Sequence, residues 1–308
     1  MSDILATLPL SAIRIFEAAA RLKSFTKAAD ELGVSQAAVS WQVKALEQRL
    51  DQLLFTRLPR EVLLTPAGER LSRAATEAMA ILRMALSDLI DTGEGVLSIT
   101  TVQSLGAQWL APRLGGFQVA HAKLAVRLET SSRVVDLQRE SVDLALRGGW
   151  GQWPGLESHF LAPSIQTALC TPTFLARIGG LATPADLVDA PRIGSAAEWA
   201  TWFDAAGVAP CDTRVAPRLM ADAQALEVAS ALAEQGVALG SPIFYAQDIA
   251  QGRLIAPFDV VAQYGGGYWI TYPAERRRVR KIAAFRDWIL AQAAGDPLIA
   301  RYRHLGGA

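Results

Sequence analysis

The sequence predicts an α/β protein in two parts. An amino-terminal winged helix-turn-helix is carried on a long helix, and two similar α/β lobes follow. Three observations predict this. Residues 24–57 read as two helices joined at a glycine and followed by the first strand of a short basic hairpin. Residues 66–91 can run as one unbroken helix with an apolar repeat. From residue 95 onward, strand-like runs alternate with helical stretches, which implies parallel strand pairs.

Leu10, Ile13, Phe16 and Ala20 outline a first amphipathic helix, all four expected in the core. Ser24 and Thr26 can cap the second helix, which holds the small residues Ala28 and Ala29 and ends at Leu32. Gly33 supplies the positive φ of a helix stop, and Val34 is expected to point back into the core. Ser35 caps the third helix, where Val39, Val43, Leu46 and Leu50 form one buried stripe. Its opposite face shows Gln36, Ala37, Ser40, Trp41 and Lys44. That face lacks acids, has small residues that allow close approach, and carries side chains able to read base edges. A second helix built this way after a glycine turn is the one that enters the DNA major groove.

Taken alone, the pattern also fits an ordinary helical hairpin. The residues after it favour DNA. Phe55-Thr56-Arg57 and the stretch after Glu61 read as two short strands around a basic, proline-bearing tip. Such a wing can lay Arg57 and Arg60 against phosphates, while Thr26 and Ser35 complete the DNA-facing set at the two helix starts. Pro66 then sits where a new helix begins, a position that tolerates its missing N–H.

FEAAARLKSFTKAADELGVSQAAVSWQVKALEQRL, then LLFTR and LLTPAGERL, resemble the amino-terminal domain of LysR-type transcriptional regulators. The match is dense over roughly the first 90 residues, in order, spacing and wing. Trp41 departs from the Arg or His common at its position in the family. The resemblance implies double-stranded DNA as a partner, with RNA polymerase a further candidate.

Leu71, Ala75, Ala78, Leu82, Ala85 and Leu89 recur at steps of four, three, four, three and four, a heptad seam on the helix from Pro66 to Asp91. A seam of this length between two domains usually pairs with a copy of itself. The alternative is a helix lying on its own wing domain. The resemblance to LysR-type linker helices favours a homodimer, or a homotetramer built from dimers. The domain boundaries are therefore expected at residues 1–65, 66–92 and 93–308.

Composition sets the remaining bounds. The chain has 308 residues, 51% hydrophobic and 19% charged, with formal net charge zero, so it is no generally basic nucleic-acid coat. Residues 1–65 carry eight Lys or Arg against seven Asp or Glu, so any DNA-facing charge is local. Cys170 and Cys211 are too few for a disulfide framework and fit a reducing cytoplasm. No basic region precedes an apolar core at the start, so no export signal is expected, and no apolar run approaches the roughly 20 residues of a membrane helix.

Past the hinge at 91–95, strands are expected at 95–102, 124–131 and 142–149, in β-α-β-α-β order. After the loop WGQWPGLES, a second set runs through TALCTPTFL, PADL, PRIGS, EWATWFDAAG and VALGSP. GGYWITYP and the helix KIAAFRDWILAQAAG close the chain. The layout fits two lobes, 93–163 plus 269–308 and 164–268, crossed twice by the chain. It is similar to the periplasmic-binding-protein-like effector domain that LysR-type regulators carry. RGGWGQWPGL, QGVAL, GGYWI and KIAAFRDWI look nearest the branch with the glycine-cleavage and β-lactamase activators.

An effector would sit between the lobes, at strand C-termini and helix N-termini, where free N–H groups favour carboxylates. By position the candidates are Gln103 and Ser104, Ser131 and Ser132, and Arg147, one set after each of the first three strands. The other lobe offers Ser195, Asp222 and Gln224, and the crossover strand offers Tyr268. Ser104, Ser132 and Ser195 fit helix caps equally well, Arg147 an ion pair, and Tyr268 the core. A small polar or carboxylate-bearing effector is expected.

Several features take a plain structural reading. GGG at 265–267 lacks phosphate-loop spacing, and ERRRVRK at 275–281 reads as a solvated helix start. His121, His159 and His304 are scattered without metal spacing, and no Ser-His-Asp or Cys-His pattern stands out. No cofactor, metal site or catalytic residue is expected. A solute-binding protein or an enzyme on the same α/β framework remains the alternative, opposed by the first 90 residues.

Overall fold

Ser24, Gly33 and Ser35 shape the first part of the chain. In the computed structural model, which describes residues 8–57, 62–90, 94–137, 140–208 and 219–306, the chain divides into two compact units near residue 90. In the first unit, helices α1 (Leu10–Leu22), α2 (Phe25–Leu32) and α3 (Gln36–Leu50) precede strands β1 (Phe55–Arg57) and β2 (Val62–Leu64) and helix α4 (Pro66–Ile90). Ser24 Oγ accepts from Lys27 N at 3.3 Å and Ser35 Oγ from Ala38 N at 3.2 Å, while Gly33 takes φ 66°. These are the start and stop signals of α2 and α3.

Phe16, Val39, Val43 and Leu46 are fully buried, and Phe16 and Phe25 pack on Phe55 with centroids 5.5 and 5.2 Å away. Glu47 Oε1 accepts from Leu54 N (2.8 Å) and Phe55 N (3.1 Å), so α3 itself fixes where the wing begins. Thr65 Oγ1 donates to Leu53 O and accepts from Gly68 N. A Cβ on Gly68 would stand 2.1 Å from Leu54 O, so this helix start admits only glycine there. Two core expectations fail. Val34 is 41% exposed because its N–H closes the turn on Ala29 O while its side chain faces out, and Leu10, in the first turn of α1 beyond the core's edge, is 61% exposed.

The seam on α4 splits. Ala75 and Met79 are buried and Leu71 half-buried, packed against the unit's own core, whereas Ala78, Leu82, Ala85 and Leu86 are exposed. The side chain of Leu89 lies outside the described set.

In the second unit a seven-stranded mixed sheet has the order β4-β3-β5-β9-β6-β8-β7. Its strands are β3 (Gly95–Thr101), β4 (Leu124–Thr130), β5 (Leu144–Gly149), β6 (Leu156–Leu169), β7 (Arg192–Ile193), β8 (Val237–Gly240) and β9 (Ala262–Pro273). β3 pairs in parallel with both β4 and β5, and β7 with β8, but β9 runs antiparallel to β5 and β6. A π-helical turn (Leu105–Leu110) and helix α5 (Leu114–Ala120) link β3 to β4; no described helix links β4 to β5, so the second expected crossover helix is a loop.

β6 and β9 are 14 and 12 residues long and join the two lobes, with register shifts at Phe160/Ala162 and Pro163/Ile165. Residues 167–169 of the expected TALCTPTFL segment and all of GGYWITYP are thus the far portions of two long strands. After the short helix α6 (Pro172–Arg177) come α7 (Ala196–Ala205), α8 (Gln224–Leu232), the short α9 (Ala246–Ala250) and α10 (Arg280–Gly295), of which α7, α8 and α10 pack on the sheet.

The run ERRRVRK departs from its solvated reading. Arg276 and Lys281 reach buried Asp143 at 2.6 and 2.8 Å, and Lys281 is buried. A carboxylate taken out of water needs such counter-charges. Arg277 and Arg278 do stay exposed.

Candidate nucleic-acid interface and effector cleft

The two candidate sites lie in different units. On α3, Gln36, Ala37, Trp41 and Lys44 are exposed along one face and Ser40 is half-buried, opposite the buried Val39, Val43 and Leu46. Trp41 is 67% exposed, a large apolar surface for a helix face otherwise polar. Thr26 on α2 and Ser35 at the cap of α3 are exposed beside it in the chain. Arg57 ends β1, its backbone paired with Val62; Arg60 lies outside the described residues.

In the second unit a cavity of about 620 Å³ opens on the crossover strands. Of the residues anticipated from sequence, Gln103 and Ser104 line it from one side together with Ser131 and Ser132. Asp222 and Gln224 line it from the start of α8, and Tyr268 from β9. Ala223 at the start of α8 has no side chain to cap with, and Ser104 Oγ, from the far end of β3, accepts from Ala225 N at 2.9 Å instead. Gln224 Oε1 accepts from Ser241 N at 3.0 Å, which fixes its amide at the cavity wall. Burial pushes the Tyr268 phenol up to about 12, partly offset by its hydrogen bond with Ser164, so it is a neutral hydroxyl.

Arg147 and Ser195 are not brought to this cavity. Arg147, on β5, hydrogen-bonds Ser131 O and Thr100 Oγ1, the ends of two neighbouring strands, and lines a separate cavity of about 240 Å³ with Trp153 and Val135. Ser195 accepts from Glu198 N and donates to Glu198 Oε2 at 2.8 Å, a closed capping box on α7.

Sequence reasoning missed Thr130, Trp150, Ser164, Gln166, Tyr264 and Gly265 in the lining. Ser164 and Gln166 stand two apart on β6, and Tyr264 and Tyr268 four apart on β9, so a period of two would have flagged them had both strands been drawn at full length. Among the described residues no group of three or more His, Cys, Asp or Glu is placed to hold a metal ion. Cys170 is buried, and burial raises its thiol to about 11, which keeps it unreactive.

Behind the cleft, Glu227 on α8 is 5% exposed and accepts from Ala221 N at 3.0 Å, holding the segment that bears Asp222. Burial raises its pKa, with Glu198 adding to the rise and the Ala221 bond opposing it. The folded state therefore keeps the proton to higher pH than the unfolded chain does. Stability is full below the ordinary glutamate pKa and falls as pH rises towards the raised one. Glu227→Gln keeps the acceptor and removes the charge. Its melting temperature should exceed wild type by about 2–4 °C at neutral pH and converge with it near pH ~4; a constant offset at all pH would contradict this.

A winged helix-turn-helix joined to an α/β unit with a polar cleft is the layout of a DNA-binding regulator with a ligand-binding domain. A model of the bacterial regulatory helix-turn-helix proteins of the lysR family matches residues 10–69, and one of the LysR substrate binding domain matches residues 91–294. The chain belongs to the LysR-type transcriptional regulators. The HTH-type transcriptional activator AmpR of Citrobacter koseri is 38% identical over 293 residues, covering 93% of this chain and 99% of its own. The glycine cleavage system transcriptional activator of Escherichia coli is 35% identical over 299 residues, covering 96% and 97%. Among solved structures, the effector domain of AmpR from Pseudomonas aeruginosa is 34% identical, with a TM-score of 0.58 over 68% of this chain and 98% of its own. No described helix is long and apolar enough to cross a membrane.

Proposed function

We propose that this regulator binds an operator of two half-sites as a homodimer or a pair of dimers, under the control of a small polar effector held in the cleft. The exposed face of α3 carries the DNA half of this reading: Gln36, Ala37, Ser40 and Trp41 over the bases, Lys44, Arg57 and Arg60 on phosphates, with Thr26 and Ser35 at the helix starts. Trp41 cannot form a bidentate guanine contact, so it packs against a thymine methyl or a sugar. Residues 1–65 act as the DNA module, 66–92 as the dimerisation helix and 93–308 as the effector module.

The cleft carries the other half. Gln103, Ser104, Ser131, Ser132, Asp222, Gln224 and Tyr268 are its working set. A small polar ligand would meet hydroxyls and backbone N–H groups, with Arg147 orienting Ser131 from behind. Ligand binding shifts the population of lobe arrangements and so the placing of the wings on DNA, where RNA polymerase is the further partner. The working compartment is the cytoplasm.

Selection of binding sites from random DNA tests the interface. Gln36→Ala should relax preference at one position by about 1–3 kcal/mol. Arg57→Ala should weaken all sequences alike and reduce the salt slope by about one. An unchanged sequence preference for Gln36→Ala would remove α3 from the groove.

A further inference from the structure

Trp150 is 64% exposed and lines the cleft, an unusual place to leave an indole in water. The backbone holds it there. Gly265 has φ +76°, and a Cβ on it would lie 2.9 Å from Trp150 Cζ2. Gly266 has φ +61°, and a Cβ there would lie 2.1 Å from Gly149 O and 3.2 Å from Trp150 N. The glycine run on β9, unremarkable as a phosphate loop, thus lets the 149–150 segment press against the strand and fixes the ring at the cleft wall.

Beside Val102, Ala223, three glycines and the two tyrosine rings, the side chains of the lining are mostly hydroxyls and amides. Among the described residues, Asp222 is its one charged side chain, with no Lys, Arg or His. Gln166 Oε1 is buried at the cavity wall and has no hydrogen-bond partner among the described residues, so a turn of its amide towards the cavity gives it a donor. A carboxylate or phosphate has no proton to give it and finds no cation among the described lining residues. A ring bearing hydroxyls satisfies every part. Its C–H face covers the indole, while adjacent hydroxyls donate to Asp222 and Gln166 and accept from the amides of Gln103 and Gln224. The cavity of about 620 Å³ exceeds what one such ring fills and leaves room for a substituent.

We propose, resting on the reading of this cleft as the effector site, that its ligand is a neutral polyhydroxylated ring, a sugar or close derivative, stacked on Trp150. A nucleoside could also stack, but its base edge does not call for an acid and three amides around one platform.

The test is calorimetry and thermal shift on the full-length protein with D-glucose, D-galactose, N-acetyl-D-glucosamine and cellobiose, against glycine, alanine, dialanine, adenosine and benzoate. A neutral sugar should bind, and Trp150→Ala should weaken it at least about tenfold, with Trp150→Phe retaining most of the affinity. Gln166→Leu, which leaves the platform intact, should weaken it as well. Binding of amino acids, dipeptides or adenosine without any sugar overturns the ligand class, as does a sugar indifferent to Trp150→Ala. In those cases loss of binding in Ser104→Ala and Gln224→Ala would still keep the cleft as effector site. A hit untouched by Trp150→Ala, Gln166→Leu, Ser104→Ala and Gln224→Ala would move the site elsewhere, and a panel with no binder overturns the proposal.

Discussion

Asp143→Ala is expected to destabilise the second unit by about 3–5 kcal/mol. Asp143 is 1% exposed, its Oδ1 faces Arg276 at 2.6 Å and Lys281 at 2.8 Å, and its Oδ2 accepts from Ser98 N at 2.8 Å. Alanine removes the negative charge from beside two largely desolvated cations and strips a buried N–H of its acceptor, two penalties that add. The bond to Ser98 also ties β3 to the start of β5, so the loss falls on the sheet that carries the cleft. Urea unfolding reads the effect, with Arg277→Ala as a control: its exposed side chain should cost under about 0.5 kcal/mol. Equal losses in both variants would mean that the cluster contributes nothing beyond surface charge.

The largest functional effect is expected from Leu82→Glu. Leu82 and Leu86 are 42% and 57% exposed on α4 and continue a stripe with Ala78 and Ala85, an apolar face that this unit's own core does not cover. In the proposed dimer each glutamate would enter an apolar seam without a partner, costing several kcal/mol per pair of subunits. Sedimentation should show a smaller species, and binding to an operator of two half-sites should collapse while a single half-site keeps its weak affinity. An unchanged mass would remove the seam from the proposal. Leu71→Glu would fail as a substitute, because Leu71 packs on the wing unit's own core and its loss unfolds that unit.

The seam shows why part of the fold was legible and part was not. Periodicity marks positions that want to be out of water, and on α4 it marked six positions alike. It is blind to which surface covers them. Ala75 is satisfied within its own unit, and Leu82 is not; only the packed structure separates them. The α2–turn–α3 segment was legible almost residue by residue because its signals are local. Ser24, Gly33 and Ser35 set φ angles and cap bonds with neighbours three to five residues away, and such bonds form wherever the segment goes.

The cleft behaved differently. Its sequence-derived members come from strand ends and a helix start, places that a strand pattern locates. Gln166 and Tyr264 escaped because β6 and β9 run farther than their turn signals suggest, and Trp150 because it stands in the loop after β5, where no strand or helix pattern points. Ser195 was drawn in by the same positional rule and turned out to close its own capping box.

By itself, then, the sequence determined the winged helix-turn-helix, the exposed face of α3 and most of the order of the α/β elements, because local backbone preferences and hydrophobic periods decide those. Tertiary structure alone decided the cleft's electrostatics: Arg147 turned to Thr100 and Ser131, Asp222 left as the single charge among the described lining residues, and an indole seated on a glycine. Those outcomes depend on which strands become neighbours. Arg147 and Thr100 are 47 positions apart in the chain, and Trp150 and Gly265 are farther apart still. No local pattern encodes contacts across such distances.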